Sequence, residues 1–402
     1  MSNAFMITTA AAVVAMLLTL ILPIYPEGIT PLIAAFLALA GVAGLFGLLN
    51  RAARRELMVM APWALALGCA LLIGSLRSGE SRQALEDSLP YLLFVVGLIA
   101  GRGARNPRLV LLTTLAVCIG DSLVSLYKMP SYEVGMRSTY NYFKITAGLP
   151  LVGLFLAPLL RHTDPKGRNP MLLSRPIEAA IVVVLFIGMV MSVSRGMLLG
   201  WLCGMLVAAY IRKPSQVVLG GLVLAVVFVA YSSTFADFGS RYLRFEAAST
   251  VQGRFREIET AWQTFVDYPM FGAGLGAMFE VDGFYKAFVH NMAAYHLWKF
   301  GLIGTTLLTV PLLLVGRQLR RAPPVVRSYA VGGAIAVVAY LVTCAAYKTY
   351  YLVWIYGVVA GAGLSWLSAW KLRQDQAAAL DDPYDSFDDE PEEDDSFEDE
   401  LR

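Results

Sequence analysis

The sequence contains few charged residues for its length. Asp, Glu, Lys and Arg make up 15% of the 402 residues, whereas hydrophobic residues make up 57% and the mean hydropathy is +0.61. A soluble globular protein contains about 25% charged residues, because its surface faces water. The chain lacks that polar surface, which excludes a water-soluble enzyme and predicts a polytopic membrane protein.

Cysteine and histidine are scarce as well. The four cysteines lie inside apolar runs and form no Cys-x-x-Cys pair, which argues against disulfides and structural zinc. The three histidines, His162, His290 and His296, show no spacing typical of metal ligands. We therefore expect no metal and no other cofactor.

Long apolar runs dominate the rest of the chain. A bilayer core of about 30 Å needs about 20 apolar residues in a helix. Counting in these units predicts an all-α transmembrane helix bundle of about 12 spans. The predicted spans are residues 5–25, 29–50, 58–76, 88–101, 109–127, 145–160, 177–194, 197–211, 216–234, 297–316, 329–347 and 352–370.

The distribution of Lys and Arg predicts how these spans are oriented. Eighteen of the 32 basic residues follow even-numbered spans. Positive loops remain on the cytoplasmic side. We therefore predict a multi-pass protein of the bacterial inner membrane with both termini in the cytoplasm. Spans one to nine occupy residues 1–234, and spans ten to twelve occupy residues 297–374.

The connection formed by residues 235–296 is predicted to be a large periplasmic loop. Loops this long are usually functional or disordered, and its many apolar and aromatic residues argue against disorder. Apolar residues recur at spacings of three and four, which predicts an amphipathic helix that ends at Asp267-Tyr268-Pro269. These residues are Val251, Phe255, Ile258, Trp262, Phe265 and Val266. We expect this helix to lie along the membrane interface.

The C-terminal segment 375–402 has the opposite composition. It carries 14 acidic residues and one basic residue. A segment with this charge and so few large apolar residues cannot bury a core. We predict a disordered, acidic cytoplasmic tail without a catalytic role.

Charged residues inside membrane spans are costly and often functional. The two that we identified are Asp121 in the fifth span and Glu178 at the edge of the seventh. An ion-driven transporter is expected to contain more such groups. Arg195 lies in a short outer turn between spans seven and eight, where it can bind phosphate or extend towards lipid headgroups.

Two further arginines lie at the start of the amphipathic helix. Arg254 and Arg256 point about 200° apart around a helix axis, so only one of them can face an internal site. Either of two roles fits this pair: binding of a diphosphate, or attraction of the helix to anionic lipid.

The end of the outer loop contains the remaining candidates. Gly272-Ala273-Gly274-Leu275-Gly276 is not a dinucleotide-binding motif, and we expect a tight backbone turn there and no nucleic-acid partner. His290 precedes span ten, near a helix N-terminus that disfavours a protonated ring. The ring can therefore act as a general base, although a lone histidine is more often structural.

In order and spacing, these motifs resemble the O-antigen ligase and polymerase superfamily of bacterial envelope glycosyltransferases, most closely the ligase. The resemblance covers about residues 190–305. It rests on Ser192-Val193-Ser194-Arg195-Gly196, Gly253-Arg254 with Trp262, Pro269 followed by the three alternating glycines, His290-Asn291, and Gly301-Leu302-Ile303-Gly304.

The resemblance implies a GT-C-like, metal-independent enzyme that acts on the periplasmic face and inverts the anomeric centre. Its donor is a glycan on undecaprenyl diphosphate, and its acceptor is a sugar hydroxyl of lipid A–core. Arg195, Arg254 and His290 match the catalytic residues of the family.

We also predict substrate contacts outside this catalytic set. The predicted substrate-binding residues are Arg256, Asn291, Arg137, Tyr140 and Tyr142. The last three precede span six on the predicted outer face.

Three alternatives remain open at this stage. A polymerase of the same superfamily shares the chemistry. A protein O-oligosaccharyltransferase shares the motifs but commonly adds an outer C-terminal domain. A lipid-linked glycan transporter needs substrate contacts near the bilayer centre.

Overall fold

The structure of the protein is a computed structural model, which describes residues 2–22, 30–77, 79–128, 148–161, 173–191, 194–215, 217, 248–281 and 283–381. Within these residues the chain forms thirteen α-helices, two short 3₁₀ helices and one two-stranded antiparallel sheet. The all-α class is therefore confirmed.

The elements follow one another from the N-terminus to the outer loop. The helices of this part are α1 (Ser2–Leu18), α2 (Pro31–Gly47), α3 (Arg51–Val59), α4 (Ala61–Leu76), α5 (Ser81–Gly103), α6 (Pro107–Lys128), α7 (Leu149–Arg161), α8 (Arg175–Met191) and α9 (Arg195–Arg212).

The second part of the chain contains the loop elements and the last helices. They are α10 (Ala248–Asp267), β1 (Phe279–Val281), β2 (Phe284–Lys286), α11 (Met292–Arg317), a 3₁₀ helix (Gln318–Arg321), α12 (Pro324–Thr343), a second 3₁₀ helix (Ala345–Lys348) and α13 (Tyr350–Asp381).

Among the described residues, fewer helices can cross a membrane than the hydropathy pattern predicts. Eleven of the twelve predicted spans overlap a helix, and the ninth, at 216–234, lies outside the described residues except for residue 217. Only five described helices are long and apolar enough to cross a membrane, or six if α2 and α3 count as one bent span. Four further apolar helical segments of 10–17 residues are Asn3–Leu18, Ala61–Leu76, Leu149–Arg161 and Gly196–Arg212. A polytopic membrane protein is supported, but the count of twelve is not.

Helices α5 and α13 form the most extensive helix pair, and glycines explain their close approach. A Cβ at Gly97 would lie 2.3 Å from the Trp354 carbonyl oxygen, and one at Gly361 would lie 2.1 Å from that of Leu98. Small residues at four-residue spacing allow helix backbones to meet in this way. This pair connects the two ends of the bundle, which differ in their charges.

A break in α11 receives the glycine-rich loop. Gly301 has a φ of 62°, a conformation that favours glycine, and it interrupts the helix. Ala273 and Gly274 donate to the carbonyls of Trp298 and Lys299 over 2.7 and 3.0 Å. Leu302 and Ile303 donate in turn to the carbonyls of Pro269 and Met270. The loop thus replaces the helical hydrogen bonds that the break removes, as buried backbone groups require.

The C-terminal boundary of the last helix differs from the prediction. Helix α13 continues through Asp381, so residues 375–381, which we predicted to be part of the disordered tail, are helical. Residues 382–402 lie outside the described residues.

Candidate active site

Helix α10 carries the central residues of the site on its inner face. Glu257, Ala261 and Phe265 are buried, whereas Phe255 and Trp262 are more than half exposed. The predicted apolar stripe therefore divides between two faces, because Phe265 packs inward and Phe255 and Trp262 point outward. The helix itself is present as predicted and ends at Asp267.

The Glu257 carboxylate organises the polar contacts of this face. Its Oε2 atom lies 2.8 Å from Nδ1 of His290 and accepts a hydrogen bond from the His290 backbone N–H over 3.2 Å. Its Oε1 atom lies 2.6 Å from Nζ of Lys286 at the end of β2. The carboxylate therefore holds the hairpin and the histidine against α10.

These partners determine the charge of Glu257. Burial favours the neutral acid, but hydrogen bonds from His290 and Lys286, together with the charge of the His290 ring, outweigh burial and lower the pKa of Glu257 to about 2. The carboxylate is therefore ionised at neutral pH, and it can only accept hydrogen bonds.

An ionised Glu257 also fixes the orientation of His290. Because the carboxylate accepts, Nδ1 carries the proton, and in the neutral ring Nε2 is left as an acceptor. A carboxylate orients a general base in the same way in catalytic triads. The contact with Glu257 was not predicted from the sequence, where His290 was placed only near a helix N-terminus.

Arg254 lies one helical turn before Glu257, so both side chains share the inner face of α10. Its Nη1 donates to the Thr343 carbonyl at the end of α12 over 3.5 Å. Thr343 also contacts the start of α9, because a Cβ at Gly196 would lie 2.3 Å from Thr343 Oγ1. The first turn of α9 and the Arg254 side chain thus meet at one residue.

A second contact brings the histidine segment to the same corner. The Tyr347 hydroxyl donates to the Val289 carbonyl over 2.5 Å, immediately before His290. Tyr347 lies in the 3₁₀ helix that follows Thr343 by two residues. The segments that carry Arg195, Arg254 and His290 therefore all contact the junction between α12 and α13.

The predicted substrate-binding residues have different positions. Arg256 is exposed, so Arg254 is the one of the two arginines that faces inward. The Asn291 side-chain oxygen accepts from the Ala294 N–H over 2.9 Å and caps α11. Arg195 is the first residue of α9, and its side chain is not described. Arg137, Tyr140 and Tyr142 lie outside the described residues.

Sequence reasoning missed a buried cluster of charges near this site. The Asp87 carboxylate lies 2.7 Å from Nζ of Lys299 and 2.6 Å from Nζ of Lys348, and it accepts from the Gly276 N–H over 3.0 Å. The side chains of Asp87 and Lys299 are fully buried. Asp121 and Glu178 were therefore not the only charges to consider inside the spans. Lys299 falls within the predicted tenth span, and a systematic search for charges in apolar runs would have found it.

The charge cluster connects the glycine-rich loop to the corner at Tyr347. Gly276 belongs to the loop, and Lys348 directly follows Tyr347. Glu178, by contrast, pairs with Arg161 between α7 and α8. The pairing of Asp87 with two cations and a backbone N–H indicates a structural anchor for the loop.

Comparison with known proteins agrees with the resemblance. Residues 180–309 match a protein-family model described as O-Antigen ligase. A search of curated proteins found no match. The matched region covers about a third of the chain and includes Arg195, Arg254, Glu257 and His290. The resemblance to the O-antigen ligase and polymerase superfamily is therefore confirmed over this region.

Proposed function

From the match to the O-antigen ligase family, we propose that this protein is an O-antigen ligase. It transfers a glycan from undecaprenyl diphosphate to a sugar hydroxyl of lipid A–core. The reaction takes place on the periplasmic face of the inner membrane. The observation that carries the proposal is the contact between Glu257 and His290. Glu257 lies one helical turn after Arg254, so the contact is next to the inward-facing arginine.

His290 is the general base of the proposed reaction. The acceptor hydroxyl gives its proton to Nε2 of His290 while its oxygen forms a bond to the anomeric carbon of the donor. The bond between that carbon and the diphosphate oxygen breaks, and the electron pair leaves with the diphosphate. Glu257 stabilises the imidazolium that results, as a carboxylate does in a catalytic triad.

The arginines stabilise the leaving group. Negative charge grows on the diphosphate oxygen as the bond breaks, and a guanidinium binds phosphate oxygens through two parallel hydrogen bonds. A donor that is already oriented towards this charge lowers the barrier of the reaction. Arg254 faces inward next to Glu257, and Arg195 begins the helix that meets it at Thr343. We therefore assign leaving-group stabilisation to both.

The structure of the loop favours a transferase over a transporter. The loop segments that carry His290 and Arg254 are held by hydrogen bonds to the α12–α13 corner. Asp87 is the most buried carboxylate of this region, and it is already engaged by two lysines. A transport cycle needs ionisable groups that exchange partners, whereas rapid chemistry needs groups that are already in place.

Expression of the protein in bacteria that lack their own O-antigen ligase tests the proposal. A ligase restores the polymer on lipid A–core and removes the lipid-linked polymer that otherwise accumulates. No restoration in a strain that supplies the matching donor would contradict the assignment. A polymerase instead restores long chains in a strain that accumulates single repeat units, and that result would favour the alternative.

The same strain separates catalysis from folding. The His290→Ala variant should reach the membrane at the wild-type level and leave lipid A–core without polymer. His162→Ala is a matched control, because His162 lies in a predicted cytoplasmic loop and outside the matched residues 180–309. Its activity should equal that of the wild type.

A further inference from the structure

A basic cavity lies at the end of the bundle opposite the candidate active site. It has a volume of about 780 Å³ and is lined by six arginines and one carboxylate. The arginines are Arg51, Arg55, Arg102, Arg317, Arg320 and Arg321, and the carboxylate is Glu56. They come from α3, from the end of α5 and from the end of α11 with its 3₁₀ helix. Asp87, which belongs to the charge cluster near the candidate active site, lies 15 residues before Arg102 in α5. This spacing corresponds to about 22 Å along the helix axis.

Glu56 is the one carboxylate that the described residues place in the cavity, and it already has partners. Glu56 is buried and accepts from the Gln318 side chain over 3.0 and 3.1 Å. Its Oε1 atom also lies 3.7 Å from Nε of Arg102. Among the described residues, none of the other five arginines forms an ion pair. The cavity therefore has an excess of five positive charges.

Arg102, the arginine that pairs with Glu56, extends from the cavity into the protein. Its residue is 8% exposed, and its Nη1 donates to the hydroxyls of Ser365 and Ser368 on α13. Its Nε is buried and makes no hydrogen bond to any described residue. Buried polar groups normally have a hydrogen-bond partner. The Nε atom faces the Glu56 carboxylate at 3.7 Å, so Arg102 neutralises Glu56 and leaves the other five arginines available to an anion with oxygen acceptors.

Leu314 lines the cavity, and the helices that form the cavity expose further apolar side chains, which indicate what kind of anion it binds. Helix α3 bends by 107° from α2 and exposes Leu57 and Met58. Leu313 and Leu314 are exposed on the last turns of α11, and Leu314 also lines the cavity. A basic pocket next to an exposed apolar surface matches a lipid, whose headgroup is anionic and whose chains are apolar.

We propose that this cavity binds the phosphate groups of an anionic membrane lipid. On the predicted orientation, the lipid belongs to the cytoplasmic leaflet. The site is separate from the candidate active site, so the proposal does not depend on the glycosyltransferase assignment. The free energy of binding comes from the phosphates, which the arginines hold, and from the acyl chains, which cover the exposed leucines.

The test titrates purified full-length protein with tetraoleoyl cardiolipin, which carries two phosphates, and counts bound lipids by native mass spectrometry. Dioleoylphosphatidylcholine serves as the zwitterionic comparison. The Arg317→Gln/Arg321→Gln variant should bind cardiolipin roughly 10- to 30-fold more weakly, since each arginine contributes about 1 kcal/mol near an anionic lipid. Both residues are exposed, so the change should leave the fold intact.

The matched control is Arg54→Gln/Arg175→Gln, which removes the same charge from exposed arginines outside the cavity. Its affinity should change by about twofold or less. Equal losses in both variants would overturn the proposal, because general attraction to a basic surface would then explain binding. A single Arg320→Gln variant provides a milder second test, and an unchanged affinity there would also count against the site.

Two further arms identify the source of the phosphate. Inorganic pyrophosphate at the lipid concentration should not displace cardiolipin, and displacement would overturn the proposal in favour of a soluble anion. A chain that ends at Asp381 should bind cardiolipin as the full chain does. A tenfold increase in its affinity would assign the cavity to the acidic segment 382–402 and overturn the proposal as well.

Discussion

The two ends of the bundle differ in how far their positive charges are paired with carboxylates. At the active-site end, Glu257 contacts Lys286 and His290, and Asp87 contacts Lys299 and Lys348. At the opposite end, six arginines line one cavity with a single carboxylate. Pairing at the first end holds the side chains in fixed positions. Excess charge at the second end leaves room for a ligand that brings its own negative charge.

This difference explains why burial alone does not identify a reactive group. Lys299 is fully buried but lies against Asp87 and the Ala277 carbonyl, so its donors are used inside the protein. His290 is partly exposed, and in the part of the chain that the structure describes its ring is bound only through Nδ1, by Glu257. His290 is therefore a better candidate for proton transfer than Lys299, because its Nε2 atom can accept a proton from a substrate.

Removal of the proposed base should have the largest effect on the active-site end. The His290→Ala variant should lose about 10²- to 10⁴-fold in the rate of glycan transfer, because no group then accepts the hydroxyl proton. The measurement is the single-turnover rate of reconstituted protein with a lipid-diphosphate-linked glycan and lipid A–core. Donor binding should persist. Wild-type turnover would remove His290 from the base role.

Arg254 provides the next largest effect and separates the two faces of α10. Replacement of its guanidinium in Arg254→Gln should slow transfer about 10²- to 10³-fold, as expected for one lost stabilising donor. Arg256→Gln should lose less, because Arg256 is exposed and Arg254 contacts Thr343. If both variants lost the same factor in the single-turnover rate, the two faces of α10 would not differ in their importance for transfer.

The helices were largely predictable from the sequence, because each apolar run produces its own signal. The amphipathic helix at Ala248–Asp267 follows from local spacing, and so does its end before Pro269. The predicted number of spans is not confirmed, because several apolar helices among the described residues are shorter than a bilayer requires. Composition indicates burial, but it does not distinguish a span from a short buried helix.

The candidate site was predictable only in part. Arg254 and His290 were identified from their motifs, yet Glu257 received no role although it lies three residues after Arg254. Its contact with His290 joins residues 33 positions apart, and no local pattern encodes that distance. The hairpin at Phe279–Lys286 was also missed, because strands of three residues leave almost no periodicity.

Glu257→Gln should have a smaller effect, on the pH dependence of thermal stability. The pKa of Glu257 is lowered from 4.5 to about 2 by its partners. A lowered pKa in the folded state contributes stability above the unfolded value, and this contribution is lost as the pH falls from about 4.5 towards 2. The thermal midpoints of wild type and Glu257→Gln should therefore differ at pH 6 and converge as the pH falls towards 2.

The exposed neighbour Glu259 supplies the control for this measurement. Glu259→Gln should follow the wild-type midpoint across the whole pH range, since Glu259 lies on the exposed side of α10. A constant difference between wild type and Glu257→Gln at every pH would contradict the assigned pKa. It would also indicate that the carboxylate is not held by Lys286 and His290.

The smallest effect is expected from the acidic C-terminal segment. Removal of residues 382–402 should change the rate of transfer by less than about twofold, because none of the predicted site residues lies there. The assay is again single-turnover transfer at matched protein levels. A large loss would show that the active-site end depends on a segment far from it in sequence.

The central claim is that Glu257 acts through His290, and a double-mutant cycle tests it most directly. In the wild-type background, Glu257→Gln should slow transfer about 10- to 100-fold, because a charged hydrogen bond is worth roughly 1.5–3 kcal/mol. In the His290→Ala background, the same change should cost almost nothing, since residues that act as a unit are not additive. The same fold loss in both backgrounds would contradict the claim, because Glu257 would then act independently of the histidine.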